Sequence, residues 1–280
     1  MNFVTRFAPS PTGPLHLGHA FSALLAHDTA RAVGGQFLLR IDDLDQTRAR
    51  SSWEDLIYED LEWLGIRWHG PVRKQSNHFE DYQDAINNLA NKGLIYPCRC
   101  KRRDIEVALD APQEGVPRFG PDGLIYPGTC RNRSMQDRQS GDALRLDLSK
   151  ATLVEPLAFT ETGQAHLGTH HVTIDHLQTH VGDPVIARSG MAASYHLAVV
   201  IDDAASGITH AIRGEDLFEA SYIQRLLQAQ LNLPPIKYHH HPLVRDDNGK
   251  RLAKRDDARA ISKYRADGAT PEDIRKMVGL

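Results

Sequence analysis

The sequence has few cysteines, lacks a long apolar run and carries little excess charge of either sign. Its three cysteines are an odd number, and two of them stand one residue apart. This is a poor disulfide framework and suits a reducing cytoplasm. Apolar runs of about 18 residues, which a membrane-spanning helix needs, do not occur. The start, MNFVTRFAPS, does not have the pattern of a secretory signal. We therefore expect a cytoplasmic protein that does not span a membrane.

The near balance of charge limits what composition says about partners. The 33 basic and 36 acidic residues give a net charge of −3, so a nucleic-acid partner would need a local basic surface. Apolar residues make up 41% of the chain and charged residues 25%, as in ordinary globular proteins. With 280 residues, the chain can form one large domain or two modest ones.

The N-terminal part of the chain has the pattern of a strand, a helix and a second strand. FVTRFAP precedes a helix over 19–33, and QFLLRIDD has the apolar content of a buried parallel strand. This order predicts a βαβ unit within a doubly wound parallel sheet. SYHLAVVIDDAASGITHAIRGED has buried-strand character and predicts the return to that sheet. Further helices are predicted at 51–65 (with its first serines as caps), 78–93 and 218–233.

The middle of the chain has the composition of an inserted subdomain. After Tyr96 it mixes cysteines, basic residues, proline and glycine, and 132–190 has short strand-like pieces with little helical periodicity. The predicted fold class is α/β, a Rossmann-type doubly wound parallel sheet with an insert and a short helical C-terminal region. The predicted boundaries are 1–96 and 191–243 for the two Rossmann halves, 97–190 for the insert, and 244–280 for a basic loop and helical tail.

RFAPSPTGPLHLGHA, at 6–20, places a proline-stiffened turn before a helix start that bears two histidines. Doubly wound folds bind phosphates at the helix N-terminus that follows the first parallel strand. His16 and His19 can donate to phosphate oxygens, and Gly18 lets the backbone approach a flat group such as a purine. The alternative is a rigid turn with two solvated histidines.

A second motif, GKRLAKRDD at 249–257, brings four cations into a glycine-flanked loop. Such a loop can clamp a triphosphate and stabilise the charge of departing pyrophosphate. Taken alone, a solvated basic loop is the better interpretation.

Together the two motifs resemble the signatures of class I aminoacyl-tRNA synthetases. PSPTGPLHLGH corresponds to the HIGH signature, and RLAKR at 251–255 corresponds to the KMSKS loop in its glutamyl-type form. RIDDLD at 40–45, SYHLAVVIDD at 194–203 and HAIRGED at 210–216 are similar to segments of glutamyl-tRNA synthetases. The resemblance implies the class I synthetase fold, with an acceptor-binding-like insert.

The insert and the C-terminus narrow the resemblance. Fewer than thirty residues follow RLAKR, where glutamyl-tRNA synthetases continue into a helical anticodon-binding domain. Such a core with a CxC…YxxxC insert is similar to the glutamyl-Q tRNA(Asp) synthetase family. The resemblance implies one structural Zn²⁺ per chain, held by Cys98, Cys100, Tyr126 and Cys130. From the residues alone, three free thiols are as good an interpretation as a metal site.

The resemblance also implies which residues bind the substrates. The residues implied to bind ATP, which carries Mg²⁺, are His16, Gly18, His19, Arg251 and Lys254. The residues implied to be catalytic are His16, His19 and Lys254. The residues implied to bind glutamate are Arg6, Phe7, Ala8, Pro9, Ser10, Asp42, Tyr195 and Arg213. Arg6 and Arg213 would offer two guanidinium forks to a dicarboxylate. The alternatives are that Tyr195 packs in the core and that Arg213 pairs with Asp216.

Two positions depart from the family pattern. Asp42 stands where glutamate is usual, so the carboxylate expected to bind the α-amino group is one methylene shorter. Ala253 replaces the serine of the signature loop, which removes a hydroxyl donor to phosphate. We expect either change to lower the rate of the reaction without abolishing it.

The implied activity is the activation of L-glutamate with ATP, without a need for tRNA, followed by transfer to queuosine in the anticodon stem-loop of tRNA(Asp). We expect a monomer. A local basic surface for RNA is predicted at Lys101, Arg102, Arg103, Arg131 and Arg133. The alternatives are a truncated glutamyl-tRNA synthetase that charges the tRNA 3′ end and a paralogue that only binds RNA.

Overall fold

The structure is a computed structural model that describes residues 3–109, 117–121, 123–151, 153, 156–245 and 259–280. Its strands are β1 (Val4–Phe7), β2 (Gln36–Ile41), β3 (Arg73–Lys74), β4 (Ile95–Cys98), β5 (Phe119–Gly120), β6 (Gly123–Leu124), β7 (Ala143–Leu146), β8 (Leu157–Glu161), β9 (Gly168–Val172), β10 (Val185–Ala187), β11 (His210–Gly214) and β12 (Lys237–His241). Its helices are α1 (Leu17–Ala32), α2 (Ser51–Trp63), α3 (Phe79–Asn91), α4 (Arg102–Ala108), α5 (Ile174–His180), α6 (Tyr195–Ala205), α7 (Ala220–Gln230), α8 (Ile261–Ala266) and α9 (Pro271–Val278). Within these ranges, every helix is too short or too polar to cross a membrane.

Two parallel strand sets meet at the centre of the fold. β1 pairs in parallel with β2, and β2 with β3, while β11 pairs in parallel with β12, which pairs in parallel with β8. The sets adjoin where the Thr209 N–H donates to Val4 O and the Val4 N–H donates to Thr209 Oγ1, each at 2.9 Å. β1 is buried along its whole length. The predicted α/β architecture is confirmed, and the carboxyl ends of β1 and β11 lie side by side.

Helix α1 covers this junction because one of its faces carries small apolar side chains. Ala20, Ala23 and Leu24 are completely buried against the core that includes Phe37 and Ile212. Small side chains let the helix approach the strands closely. The first turn of α1 and the end of β1 lie beside each other and line one cavity.

One predicted strand is wrong. The segment SYHLAVVIDD forms helix α6, and only His210–Gly214 of the longer stretch forms a strand. Ser194 caps the helix by accepting a hydrogen bond from the Leu197 N–H. The helix is buried on almost all sides, and residues 197–201 form an apolar run. A short apolar run does not distinguish a buried helix from a buried strand.

Smaller differences concern the insert and one cap. The predicted cap of α2 is wrong, since Arg50 occupies the N-cap position and no side chain caps that helix. Within 132–190, α5 was not predicted. β8 and β9, which the predicted boundaries assign to the insert, join the sheet of β11 and β12. The rest of the insert contains the hairpin β5–β6 and the strands β7 and β10, which form an antiparallel sheet with β4 in the order β10-β7-β4. β4 begins at Ile95, just before the predicted boundary. The domain boundaries otherwise stay a prediction.

Candidate active site and cysteine cluster

A cavity of about 240 Å³ opens at the junction of β1, β11 and the start of α1. It collects most of the residues expected to bind glutamate and ATP, namely Arg6, Phe7, Ala8, His16, Gly18, His19, Asp42, Tyr195 and Arg213. Pro9 and Ser10 are not among its lining residues. Pro9 instead accepts the Asp42 N–H through its carbonyl oxygen at 2.9 Å, which joins the two segments. Tyr195 is half-buried and lines the cavity, which argues against a core-packing role.

The start of α1 has the geometry of an anion site. The Ala20 N–H makes the first turn's hydrogen bond to His16 O, and the His19 N–H is engaged with the His16 side chain in a capping box. The N–H groups of Leu17 and Gly18 point out of the helix end. The His16 N–H donates to His19 Nδ1 at 3.2 Å, and the two rings stack with centroids 3.8 Å apart. Because Nδ1 accepts, the neutral ring of His19 carries its proton on Nε2, where it can donate to a ligand.

The predicted signature loop lies outside the described residues, and with it Arg251, Ala253 and Lys254. Its flanks are described. Leu243 and Val244 line the cavity on one side. On the other side Ala260 forms a β-bridge with His16, and the Ile261 N–H donates to Leu15 O at 2.8 Å. Both flanks of 246–258 therefore lie beside the helix start that carries the two histidines.

A buried network of alternating charge lies at the cavity around Arg6, Arg40 and Asp42. Arg6 donates to both oxygens of Asp203, from Nε at 2.9 Å and from Nη2 at 3.1 Å. Arg40 donates to Asp203 Oδ1 at 2.6 Å and to Asp42 Oδ1 at 2.6 Å. Burial raises the pKa of Asp203, but Arg6 and Arg40 outweigh burial and hold it below its usual range. For Asp42, burial dominates over Arg40, and the pKa is raised.

These contacts leave Arg6 one usable edge. Its Nε–Nη2 edge is occupied by Asp203, and five N–H groups are available in a guanidinium. The Nη1–Nη2 edge can still bind a carboxylate end-on. The sequence did not predict Arg40 and Asp203 as site residues. Asp203 lies 163 residues from Arg40 and 197 residues from Arg6 in the sequence, so no local motif joins them.

Arg213 lies at the same cavity, held by partners other than Asp216. Its Nε donates to His240 Nε2 at 3.0 Å and its Nη1 to Gln224 Oε1 at 2.8 Å. Its Nη2 donates to Ser221 Oγ at 2.8 Å and to Leu217 O at 3.2 Å. Four of its five N–H groups are used. The expectation of two open guanidinium forks therefore applies to Arg6 alone, and Arg213 keeps one N–H on Nη1.

The three cysteines converge in the insert. The sulfurs of Cys98, Cys100 and Cys130 lie within 4.8 Å of one another. Tyr126 Oη lies 3.4 Å from Cys98 Sγ and 3.5 Å from Cys100 Sγ, so the four expected ligands form one cluster. The set is soft and mostly buried, as a structural site for a thiophilic metal requires.

The pKa values of Cys100, Tyr126 and Cys130 shift in different directions. Burial opposes ionisation of the Cys130 thiol, but hydrogen bonds from Tyr126 and the Arg99 backbone outweigh it and lower the pKa to about 7. Burial raises the pKa of Cys100 to about 11 and raises that of Tyr126 as well. The Arg145 guanidinium lies 3.9 Å from the Tyr126 ring centroid, where it favours a negative oxygen on that ring.

The predicted basic surface is smaller than expected. Arg131 pairs with Asp183 at 2.7 Å, and Arg133 pairs with Asp142 at 2.9 Å. Their charges are therefore compensated within the insert. The other three predicted cations, Lys101, Arg102 and Arg103, are exposed at the start of α4, where Arg102 pairs with Glu106 at 3.0 Å.

Comparisons with known proteins agree with this geometry. The family "tRNA synthetases class I (E and Q), catalytic domain" matches residues 2–280. A protein from Rhodobacter capsulatus named glutamyl-Q tRNA(Asp) synthetase is 56% identical over 287 residues, which cover 99% of this chain and 100% of that protein. A glutamate–tRNA ligase from Aquifex aeolicus is 36% identical, over 96% of this chain and 55% of its own length.

A solved structure shows the same fold with a ligand. The crystal structure of a glutamate tRNA ligase from Elizabethkingia meningosepticum, in complex with its amino acid, superposes with a TM-score of 0.77 at 25% identity. The match covers 100% of this chain and 61% of that one, so this chain spans about three fifths of that protein's length. The resemblance drawn from the sequence motifs, and the interpretation of the chain as a ligase, are confirmed. The chain belongs to the family of class I tRNA synthetases of the E and Q type, and it has their catalytic domain.

Proposed function

We propose that the chain activates L-glutamate with ATP and transfers the glutamyl group to the queuosine base at the wobble position of tRNA(Asp). The observation that carries activation is one cavity that brings together Arg6, Arg213 and the start of α1 with its two histidines. The acceptor assignment is supported by the Rhodobacter capsulatus relative, since that similarity spans both chains almost completely.

The glutamate end would use the groups that remain available. Arg6 offers its end-on edge to a carboxylate, and Arg213 offers one Nη1–H. Asp42 supplies a carboxylate for the α-ammonium group, shared with Arg40. Tyr195 offers a hydroxyl from the first residue of α6, and the backbone at Phe7 and Ala8 forms the adjacent wall.

The ATP end would stabilise charge without a protein nucleophile. The glutamate α-carboxylate attacks the α-phosphorus in line, a P–O bond forms, and the bond to pyrophosphate breaks. His16, His19 and the N–H groups at the start of α1 would hold phosphate oxygens, with Gly18 under the purine. Mg²⁺ bound with ATP neutralises phosphate charge. Lys254, with Arg251, is proposed to hold the departing pyrophosphate.

Transfer then consumes the adenylate. A hydroxyl of the cyclopentenediol of queuosine attacks the glutamyl carbonyl, an ester forms, and AMP leaves. The exposed cations Lys101 and Arg103 are proposed to contact the RNA backbone, with Arg102 beside them in an exposed pair with Glu106. We further propose that the chain acts as a cytoplasmic monomer.

Activation is tested by amino-acid-dependent exchange of labelled pyrophosphate into ATP. We expect exchange with L-glutamate in the absence of tRNA, and much slower exchange with glutamine, whose neutral amide loses the charge-assisted contacts to Arg6 and Arg213. Aspartate serves as the length control. Equal exchange with glutamate and glutamine would rule out this substrate, and no exchange with any amino acid would favour a paralogue that only binds RNA.

We propose that the cysteine cluster holds one structural Zn²⁺, with Cys98, Cys100, Cys130 and the Tyr126 oxygen as ligands. When bound, the metal cross-links β4 to the segment around Tyr126 and leaves no open position for catalysis. We expect close to one zinc per purified chain by elemental analysis. Cys98→Ser should lower the zinc content and the melting temperature. Full zinc and an unchanged melting temperature in this variant would contradict the assignment.

A further inference from the structure

A chain of three buried polar side chains links β8, β12 and β11 behind the cavity. Glu161 Oε2 lies 2.5 Å from His240 Nδ1, and both side chains are fully shielded from solvent. His240 Nε2 lies 3.0 Å from Arg213 Nε. Of the three residues, Arg213 alone lines the cavity.

The hydrogen-bond donors fix the protonation of this chain. Arginine Nε–H can only donate, so His240 Nε2 must carry a lone pair, and the ring proton sits on Nδ1. Nδ1–H then donates to Glu161, whose other oxygen accepts the backbone N–H groups of His240 and Gly163 at 2.9 and 2.6 Å. Glu161 is thus an acceptor on both oxygens, which requires an ionised carboxylate.

The electrostatics agree with that assignment. Burial and then the Arg213 charge lower the pKa of His240, and Glu161 only partly offsets them, so the ring is neutral at pH 7. Burial opposes ionisation of Glu161, but the hydrogen bonds from His240 and Gly163 outweigh it and lower the pKa to about 2. The other groups that face His240 are Ser221 Oγ at 3.5 Å, the rings of Phe218 and Tyr238, and His166, whose charge would lower the pKa further.

We propose that Glu161 and His240 are positioning residues for Arg213, which orient its guanidinium so that the remaining Nη1–H faces the amino-acid substrate. The assignment rests on the proposed function, in which that substrate is glutamate. Gln224 holds Nη1, Ser221 holds Nη2 and His240 holds Nε, so His240 is one of the three side chains that fix the orientation of the guanidinium.

The arrangement makes Glu161→Gln an informative change. The amide keeps the size of the carboxylate, and its oxygen still accepts the two backbone N–H groups. Its NH₂ then faces His240 Nδ1, which must become an acceptor. The ring proton moves to Nε2, where it opposes the Arg213 Nε–H. We expect the KM for glutamate in pyrophosphate exchange to rise about tenfold, as for one lost charge-assisted contact, and the KM for ATP to stay within about twofold.

Variants at position 240 separate geometry from bulk. His240→Gln can place an amide oxygen opposite Arg213 Nε, whereas His240→Leu cannot accept a hydrogen bond. We expect His240→Gln to keep a clearly lower KM for glutamate than His240→Leu. His239→Gln on the same strand is the matched control, because His239 bonds Thr162 away from the cavity, and its kinetics should match those of the wild-type protein.

The wild-type protein provides a test that does not depend on folding of the variants. Nitrogen NMR should show His240 at pH 7 as a neutral ring protonated on Nδ1. A ring protonated on Nε2, a charged imidazolium, or a Glu161→Gln variant with wild-type KM for glutamate would overturn the inference, as would equal rises in KM for glutamate and ATP. Failure of the proposed function looks different, since the wild-type protein would then show no glutamate-dependent exchange while the tautomer of His240 could still be measured.

Discussion

Arg6→Ala is expected to lower glutamate-dependent pyrophosphate exchange about tenfold to a hundredfold at subsaturating glutamate, through a higher KM for glutamate. The reason is the loss of the end-on guanidinium edge, since a hydrogen bond between charged groups contributes about 1.5–3 kcal/mol. Arg213 does not replace it, because four of its N–H groups are already engaged. The KM for ATP should change little, since the residues expected to bind ATP are His16, Gly18 and His19 at the start of α1, and not Arg6.

The control is Arg31→Ala, which removes an exposed arginine from the last turn of α1. Its kinetics should match those of the wild-type protein. Because Arg6 also pairs with Asp203, the melting temperature of Arg6→Ala has to be measured beside the kinetics. A folded Arg6→Ala protein with an unchanged KM for glutamate would show that the edge identified here does not bind the substrate.

Asp203→Asn is expected to have the largest effect on stability. The carboxylate lies between Arg6 and Arg40 and is almost completely buried. Its removal leaves two buried guanidinium groups with one fewer counterion, and breaking a buried ion pair costs about 3–5 kcal/mol. The free energy of unfolding in urea at pH 7 should fall by about that amount. Asp84→Asn, an exposed change on α3, should leave it unchanged.

The pH dependence of this effect has a defined sign. The pKa of Asp203 is lowered in the folded state, so its contribution is complete above the unfolded pKa of about 4. The contribution is lost as the pH falls through the lower folded value. The stability difference between wild type and Asp203→Asn should therefore be constant above about pH 5 and narrow below about pH 4. A difference that narrows toward alkaline pH instead would contradict the ion-pair account.

Much of the fold follows from local pattern, and the wrong predictions have two separate causes. The βαβ unit was predictable because its strands are apolar and its helix has one buried face. α6 was not, because its residues are buried all round and lose the amphipathic period that identifies helices. The joining of β8 to β12 depends on a pairing between Glu161 and Tyr238, which no local pattern encodes.

The sequence predicted most residues of the site, but it did not predict how their side chains contact one another. Nine of the residues that the motif resemblance indicated line one cavity in the structure, and Arg6 and Arg213 are among them. The resemblance did not indicate that Asp203 occupies one edge of Arg6, or that His240 bonds both Glu161 and Arg213. Such contacts join strands far apart in sequence, and they are determined by the packing of the two parallel sets.

The most direct measurement is the position of the glutamyl group on the RNA. Labelled glutamate, ATP and the protein are incubated with queuosine-containing tRNA(Asp), and the label is located after ribonuclease digestion. A second reaction uses a queuosine-containing anticodon hairpin without an acceptor stem, and a third uses tRNA(Asp) with guanine at the wobble position. We predict label in the anticodon fragment, glutamylation of the hairpin, and none with guanine. Label confined to the 3′-terminal fragment, and independent of queuosine, would contradict the account and identify an enzyme that charges the tRNA 3′ end.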